Sequence, residues 1–524
     1  MLGLYVSSFY FLSIRLKYAL YFEGSMRTST KIFLLPVILF SFNLLFRIID
    51  FSHIIFQFPL DLVNDGASYI TLVYFFDVYG FLQLVPHWFN GFILFATYPP
   101  GWVLYAEIFY RLFGDLLLAV YVSTLFLYLF GFFAVYLIGK ELHFSLFKRW
   151  VLFLFVFANP MIIGAVLKQG RYPSLMGLVL FVYLVYIALY FKSRPVHWNI
   201  LFLGFLFAAL ILTHQPETIL SGIFLFGLVL VKKGKERFYV LGSLFLGVLL
   251  SLFWLIPFLH YTSEYGFLQV GFASWLFDFQ GFFLNNIIGI ILSLALFFLF
   301  YLYYKQSSSP KEALVFFAPT LLLTFLFLTR MVSFIPILKY VYPDPFNDFF
   351  IVFVSLFLVS LQYNSFSKKF QIFFITLLLL FSVGGVYYNF AVTPFFIEHS
   401  SLDEDFLRLA PLIDGKYFFF STVPLKTYTN AYTGYAAIYY NASSISGWGQ
   451  IFREYSYTYT LENVTMDYFN EHNCNTFIPF LVSYNATELL TYGEDCTYLV
   501  QTCHLDLKVQ SGEACLLRIT EDYM

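Results

Sequence analysis

The chain has 524 residues, of which 60% are hydrophobic and 11% are charged, and its formal net charge is −2. A soluble globular protein carries about 25% charged residues, so the composition excludes an ordinary soluble fold. The near-neutral charge argues against a nucleic-acid partner, which would require a basic surface.

The first 30 residues are set apart from the rest of the chain. Met1–Ile14 is apolar but too short to span a bilayer, and no small-residue cleavage site precedes Glu23, which argues against a signal peptide. The segment from Met26 to Lys31, followed by an apolar run, is typical of a natural start, so Met1 and Met26 both stay open as the first residue. We expect residues 1–30 to be cytoplasmic or interfacial.

Apolar runs predict a polytopic α-helical membrane protein with about eleven transmembrane helices in residues 31–390. The predicted spans lie near 31–50, 115–139, 150–167, 173–191, 197–213, 217–231, 239–259, 284–304, 313–330, 348–364 and 370–389. The loops after the second, fourth, sixth, eighth and tenth spans hold thirteen Lys and Arg residues, and the opposite loops hold five. The positive-inside rule therefore predicts a cytoplasmic N-terminus and an extracytoplasmic C-terminus.

A long loop, residues 51–114, separates the first two spans on the predicted outer side. Loops of this length are usually functional or disordered, and this one is too aromatic for disorder. Its polar residues include Asn64, Asp65 and Asp77. Residues 98–114 are apolar, but counting them as a span would invert every later loop. We therefore expect them to form a helix along the outer surface, with Arg111 at the interface.

More polar residues lie at the predicted outer ends of later spans. Lys168 and Arg171 follow the third span, and His214 and Glu217 follow the fifth. Ionisable groups at membrane depth are costly and usually mark function. The predicted topology places all of them on the same side as the long loop.

Five short motifs resemble a known family in their order and spacing. They are Asn64–Tyr69, Val85–Gly91, Tyr98–Gly101, Gly170–Ser174 and Leu212–Pro216. The first three follow the order of the first outer loop of GT-C glycosyltransferases. The whole set is similar to the 6-pyruvoyl-tetrahydropterin-synthase-related membrane proteins, which are common in archaea. The resemblance covers residues 31–390.

The resemblance implies a GT-C-like domain that transfers a sugar from a polyprenyl-phosphate donor to a glycan, lipid or protein acceptor. Transfer would occur on the non-cytoplasmic face of the cell (plasma) membrane. It also implies that an acidic residue early in the first outer loop, here Asp65, acts as base or as ligand of a divalent metal such as Mg²⁺ or Mn²⁺. Many GT-C enzymes have two acidic residues where this chain has Asn64 and Asp65, so metal dependence stays open. Two further departures are the lack of an Arg in residues 343–348 and of a Trp-Trp-Asp-Tyr-Gly motif. The second argues against an oligosaccharyltransferase catalytic subunit.

Inverting glycosyl transfer needs a carboxylate near the acceptor hydroxyl and groups that stabilise the departing phosphate. Asp65 is the candidate for the first role, and its alternative is to cap the helix that follows. Arg171, Lys168 and His214 are the candidates for binding the donor phosphate. Their alternatives are interfacial snorkelling for the two cations and helix capping for the histidine. The candidates for acceptor or metal binding are Asp77, Glu217 and Asn64.

Residues 391–524 predict an extracytoplasmic α+β domain, because short apolar and aromatic runs alternate with polar turns. From Glu398 onward there are 16 acidic and 6 basic residues. All four cysteines lie in this domain, which predicts disulfides with three pairings left open. They are Cys474, Cys496, Cys503 and Cys515. Asn441, Asn463 and Asn485 begin Asn-x-Ser/Thr sequences and are N-glycosylation candidates.

The leading hypothesis is a cell-envelope glycosyltransferase that uses a lipid-linked sugar. One alternative is a transporter or flippase of lipid-linked or polar solutes, against which the polar residues cluster at one membrane face. The other alternative is a catalytically silent GT-C-like assembly subunit.

Overall fold

The computed structural model describes residues 28–60, 65–264, 279–335, 344–391, 398–420, 429–447, 464–465, 468 and 472–520. Asn64, Asn463 and residues 1–27 of the predicted N-terminal segment lie outside these ranges. The described part of residues 28–391 is almost entirely helical. Its helices are α1 (Thr28–Phe56), α2 (Asp65–Tyr79), α3 (Gly101–Phe113), α4 (Leu116–Glu141), α5 (Leu146–Phe157), α6 (Pro160–Ile163), α7 (Tyr172–Lys192), α8 (Leu201–Ile211), α9 (Gln215–Val231), α10 (Lys235–Leu250), α11 (Leu252–Glu264), α12 (Phe279–Gln306), α13 (Pro310–Leu328), α14 (Asp344–Ser360) and α15 (Lys368–Ala391).

The eleven apolar runs all fall on helices of this set. Six helices are long and apolar enough to cross a membrane: α1, α4, α7, α12, α13 and α15. Two pairs that are bent by more than 40°, α5 with α6 and α10 with α11, raise that number to eight within the described residues. Helices α8, α9 and α14 are apolar but shorter. The chain is therefore a polytopic helical membrane protein, as predicted, while the count of eleven spans and the domain boundaries stay predictions.

One end of the bundle, which we call the site end, is where α6 and α8 finish and α7 and α9 begin. The Asn159 side chain caps α6 by accepting hydrogen bonds from the next turn. The chain then widens into a π turn over Gly164–Lys168. Gly170 follows with φ +70°, a left-handed conformation that glycine adopts without strain. These breaks place residues 168–171 at the start of α7 rather than inside a continuous helix.

The long loop between α1 and α4 is ordered where it is described. It contains α2, a hairpin of β1 (Leu84–Val85) with β2 (Phe92–Ile93), and α3. Helix α3 falls in the segment where a surface helix is predicted. It buries Trp102 and exposes Leu112 and Arg111. The segment is thus a short helix with one buried and one exposed face, and its position relative to the bilayer stays a prediction.

The C-terminal region, residues 398–520, forms a mixed five-stranded sheet with helices on both faces, and we call it the cap. Its strands run in the order β4-β3-β5-β7-β6, with β4 and β5 parallel to β3 and β7 antiparallel to β5 and β6. The elements are α16 (Ser401–Leu409), β3 (Lys416–Phe419), α17 (Thr429–Tyr440), β4 (Ser443–Ser444), α18 (Cys474–Ser483), β5 (Glu488–Tyr492), α19 (Glu494–Gln501), β6 (Asp506–Ser511) and β7 (Ala514–Arg518). The four cysteines form two disulfides, Cys474–Cys503 and Cys496–Cys515.

The cap rests on α2 and on the loop that follows it. Gly434 of α17 lies so close to Thr71 of α2 that a Cβ at position 434 would overlap the threonine hydroxyl. His87 bonds the cap twice, through Nδ1 to the Ala442 carbonyl (3.1 Å) and through its own carbonyl to the Ser444 N–H (2.7 Å). Since the Ala442 oxygen accepts, Nδ1 of His87 carries the proton, and Nε2 accepts from the Tyr79 hydroxyl (2.7 Å).

Candidate active site

Asp65 and Arg171 meet at the site end of the bundle. Asp65 is the first residue of α2, and Arg171 immediately precedes α7. The Arg171 Nε and Asp65 Oδ2 atoms are 3.5 Å apart, and each side chain is 24% exposed. The pair is therefore partly exposed at the surface of the bundle.

Backbone contact brings the two residues together. A Cβ placed on Gly170 would overlap the Cα and N atoms of Gly66. Only glycine at position 170 allows this approach, which positions the next residue, Arg171, beside Asp65. The motifs that begin at Asn64 and Gly170, more than 100 residues apart in sequence, are thus neighbours.

Lys168 lies deeper, in a buried group of charges. Its Nζ is 3.7 Å from Asp50 Oδ2, and the two side chains are 3% and 2% exposed. Asp50 also pairs with Arg47 (2.8 Å), and Arg47 donates to the Asn389 carbonyl (2.6 Å). Among the residues that the structure describes, this buried group contains two cations and one carboxylate.

A small cavity joins this buried group to the Asp65 end of α2. Its lining includes Lys168, Gly66, Gly170 and Tyr172, with apolar side chains from α1 and α2 completing the wall. Its volume is about 10 Å³, room for a single water. A lipid phosphate would require the wall to open.

His214 and Glu217 lie at the start of α9. His214 precedes the helix, and its Nδ1 contacts Oε2 of Glu217. Burial, reinforced by the positive charge of Arg171, lowers the pKa of His214. The imidazole is therefore neutral and within the electrostatic range of Arg171.

The third loop motif also reaches this region. The Gly101 N–H donates to the Leu212 carbonyl (2.5 Å), so the Tyr-Pro-Pro-Gly turn is bonded to the segment just before His214. The Tyr98 hydroxyl bonds that of Tyr69 (2.5 Å), one turn after Asp65. The structure thus brings together Asp65, Arg171, Lys168, His214 and Glu217.

Asp77 does not join them. It lies twelve residues after Asp65 on α2, about 18 Å along an ideal helix. Its carboxylate pairs with Arg111, which also bonds Glu107 (2.6 Å). Arg111 is 66% exposed and Asp77 is 23% exposed, so the arginine of this pair lies at the protein surface.

The described residues contain no group of three or more His, Cys, Asp or Glu side chains that could hold a metal ion. Asp65 faces a guanidinium, which would compete with a cation, and Asn64 lies outside the described residues. Metal dependence therefore stays a prediction. Of the N-glycosylation candidates, Asn441 and Asn485 are exposed.

Comparison with known proteins decides the family. A family model described as "6-pyruvoyl-tetrahydropterin synthase related domain; membrane protein" matches residues 98–393, more than half of the chain. The chain belongs to this family. The match confirms the predicted resemblance and covers Arg171, His214 and Glu217, while Asp65 lies before it. No curated protein matches the sequence.

GT-C glycosyltransferases are among the solved structures whose fold is similar to that of this 6-pyruvoyl-tetrahydropterin-synthase-related protein. The apo oligosaccharyltransferase of Archaeoglobus fulgidus aligns with TM-score 0.56 and 11% identity over 89% of this chain and 70% of that one. ArnT from Cupriavidus metallidurans bound to undecaprenyl phosphate gives 0.53 and 14% over 93% and 98%. A variant of the mycobacterial arabinofuranosyltransferase AftD gives 0.53 and 12% over 88% and 36%. These values show a shared fold.

Sequence reasoning missed several residues of the site. Arg47 and Asp50 were counted as part of the first predicted span, although opposite charges three residues apart inside a span are a signal of a buried pair. Tyr69, Trp102 and Tyr172 pack together behind Asp65, and Trp102 stacks on Tyr172 with ring centroids 5.1 Å apart. No signal separates these rings from the other aromatic residues of an aromatic-rich chain.

Proposed function

We propose that the protein is an integral-membrane glycosyltransferase that transfers a sugar from a polyprenyl-phosphate donor to an envelope acceptor on the non-cytoplasmic face. The observation that carries the proposal is the Asp65–Arg171 pair, each side chain 24% exposed, together with the buried ammonium of Lys168, which lines a cavity shared with Gly66 and Gly170. A carboxylate and two cations in one place suit a reaction in which a hydroxyl attacks and a phosphate departs.

In this reaction the cations would bind the donor phosphate. Arg171 offers a planar fork of donors, and Lys168 belongs to the buried group of two cations and one carboxylate. Among proteins of this fold, ArnT binds undecaprenyl phosphate and the A. fulgidus oligosaccharyltransferase binds dolichol phosphate, which supports a lipid-phosphate donor here.

Asp65 would then accept a hydrogen bond, and finally the proton, from the acceptor hydroxyl. The hydroxyl oxygen forms a bond to the anomeric carbon, and the bond from that carbon to the phosphate oxygen breaks. The leaving polyprenyl phosphate keeps the electron pair. A divalent metal would help to stabilise that phosphate, and a structure of the A. fulgidus enzyme with zinc and sulfate supports testing for one.

The test uses purified full-length protein in lipid nanodiscs with radiolabelled polyprenyl-phosphate mannose, glucose or arabinose. We expect wild type to consume at least one donor and the Asp65→Asn variant to consume none measurably. Parallel reactions with EDTA, Mg²⁺ or Mn²⁺ measure metal dependence. A set of wild-type reactions in which every donor stays intact would refute the enzyme hypothesis.

Two other results would identify the alternatives. A transporter would move label across proteoliposome membranes without cleaving it. A silent assembly subunit would bind donor without consuming it and would show no difference between wild type and Asp65→Asn.

A further inference from the structure

His214 and Glu217 form a contact that the proposed reaction does not use. Nδ1 of His214 touches Oε2 of Glu217, and the Ser174 hydroxyl donates to the other carboxylate oxygen, Oε1 (3.4 Å). The Glu217 side chain is 4% exposed and that of His214 is 17% exposed. A Cβ on Gly177 would lie 3.3 Å from both side chains, so the glycine of α7 leaves room for them. The carboxylate is thus buried behind the imidazole.

The carboxylate determines which ring nitrogen carries the proton. Because it faces Nδ1, it favours the tautomer with the proton on Nδ1. Nε2 of a neutral imidazole is then a hydrogen-bond acceptor. Nδ1 of His214 has almost no accessible surface, so the exposed part of the side chain lies on the edge away from Glu217.

An acceptor at Nε2 does not suit a phosphate. Phosphate oxygens accept hydrogen bonds, so they pair with the donors of Arg171 and Lys168 and not with a lone pair of His214. A sugar hydroxyl carries a proton that it can donate to Nε2. Arg171 is close enough to act electrostatically on His214, which puts a phosphate bound by Arg171 and the sugar attached to it near the imidazole.

We propose that His214 and Glu217 form a positioning dyad that binds a hydroxyl of the transferred sugar through Nε2 of His214. The proposal rests on the proposed function and names what this part of the same site recognises. It also replaces the sequence-based hypothesis that His214 binds the donor phosphate. A neutral hydrogen bond of this kind changes affinity by up to about tenfold.

The binding test compares two ligands that differ only in the sugar. Affinities of wild type, His214→Ala and Arg171→Ala are measured for a polyprenyl phosphate and for the polyprenyl-phosphate mannose, glucose or arabinose that wild type binds best. His197→Ala, which removes an exposed histidine before α8, is the matched control. We expect His214→Ala to weaken the sugar-bearing lipid by about tenfold and the bare phosphate by less than twofold. Arg171→Ala should weaken both, and His214→Gln should recover part of the loss through its carbonyl oxygen.

Equal weakening of both lipids by His214→Ala would overturn the proposal in favour of phosphate binding. An unchanged affinity for both would make the dyad structural and overturn it as well. If wild type binds neither lipid, the proposed function fails and this proposal fails with it.

A second measurement needs neither ligand nor activity. Imidazole ¹⁵N shifts of histidine-labelled protein, assigned through His214→Gln, report the tautomer of His214. We expect the proton on Nδ1 in wild type and on Nε2 in Glu217→Gln, whose amide donates to Nδ1. A wild-type imidazole with its proton on Nε2 would overturn the dyad even if the protein binds and cleaves a lipid-linked sugar.

Discussion

The two ends of α2 carry the same kind of ion pair in opposite settings. At the first end Asp65 faces Arg171, both 24% exposed, beside the buried Arg47–Asp50–Lys168 group. At the second end Asp77, which is 23% exposed, faces Arg111, which is 66% exposed and also bonds Glu107. The two aspartates are only twelve residues apart on one helix. The first pair lies where four of the sequence motifs meet, and the arginine of the second pair lies at the surface.

The charged neighbours of an ion pair and the exposure of its cation, more than residue type, decide what the pair can do. An ion pair exposed to water contributes only about 0–1 kcal/mol to the free energy of unfolding, because solvent screens the two charges. Charges removed from water interact strongly with each other and with a charged ligand, because little solvent screens them. We therefore predict that the first end, and not the second, binds an anion and polarises a hydroxyl.

The largest expected effect separates the two aspartates of α2. Asp65→Asn should lower the transfer rate by about 10²–10⁴-fold, the contribution of a general base. Asp77→Asn should change it by less than about twofold, because its partner is exposed. Initial rates at saturating donor measure both. Equal losses in the two variants would remove the distinction between the two ends.

The next effect concerns stability. Asp50→Asn should lower the free energy of unfolding by about 3–5 kcal/mol, because it leaves Arg47 and Lys168 buried without the carboxylate between them. Asp77→Asn again serves as the control, because its partner Arg111 is exposed, with an expected loss below about 1 kcal/mol. Thermal unfolding in the same nanodisc measures the difference. A wild-type-like melting temperature for Asp50→Asn would show that water or lipid enters the buried group.

A smaller effect concerns the two arginines. Arg171→Lys should raise the donor KM by about tenfold, since a single ammonium cannot replace the two-pronged guanidinium on a phosphate. Arg111→Lys should leave the donor KM unchanged. Steady-state kinetics over a range of donor concentrations gives both values. A rise for Arg111→Lys instead would place the donor at the second end of α2.

The smallest effect is a pH dependence where the cap meets the loop after α2. Burial lowers the pKa of His87 below its ordinary value of 6.5. Below pH 6.5 the unfolded chain binds a proton that the folded chain does not, so His87 adds stability above this pH and loses it as the pH falls. We expect the melting temperature to fall by roughly 2–4 °C more in wild type than in His87→Gln between pH 7 and pH 5. Parallel curves for the two proteins would contradict the assignment.

Sequence patterns predicted the helices and five residues that meet at the site end, but not their distances and not the buried Arg47 and Asp50. Apolar runs define helices because the bilayer demands them, and five motifs in order implied the GT-C-like fold that the comparisons confirm. They did not show that Gly66 and Gly170 touch, since that contact depends on how α2 packs against the start of α7. The ion pair between Asp50 and Lys168 could not be predicted from the sequence for the same reason.

For the cap, the sequence predicted only the fold class, α+β. Residues 417–419 and 515–518 are strands, but the aromatic runs at 435–440 and 477–482 are helices. Short runs of this kind fit both the periodicity of a helix and that of a strand. The alanines at 436 and 437 favour a helix. Tertiary packing decides such cases.

The Gly434–Thr71 contact packs the cap directly against the helix that begins at Asp65. Thr71 stands six residues after Asp65 on that helix, and its hydroxyl faces the backbone of α17 at Gly434. A larger side chain at position 434 would therefore have to push α17 away from the helix whose first residue is Asp65.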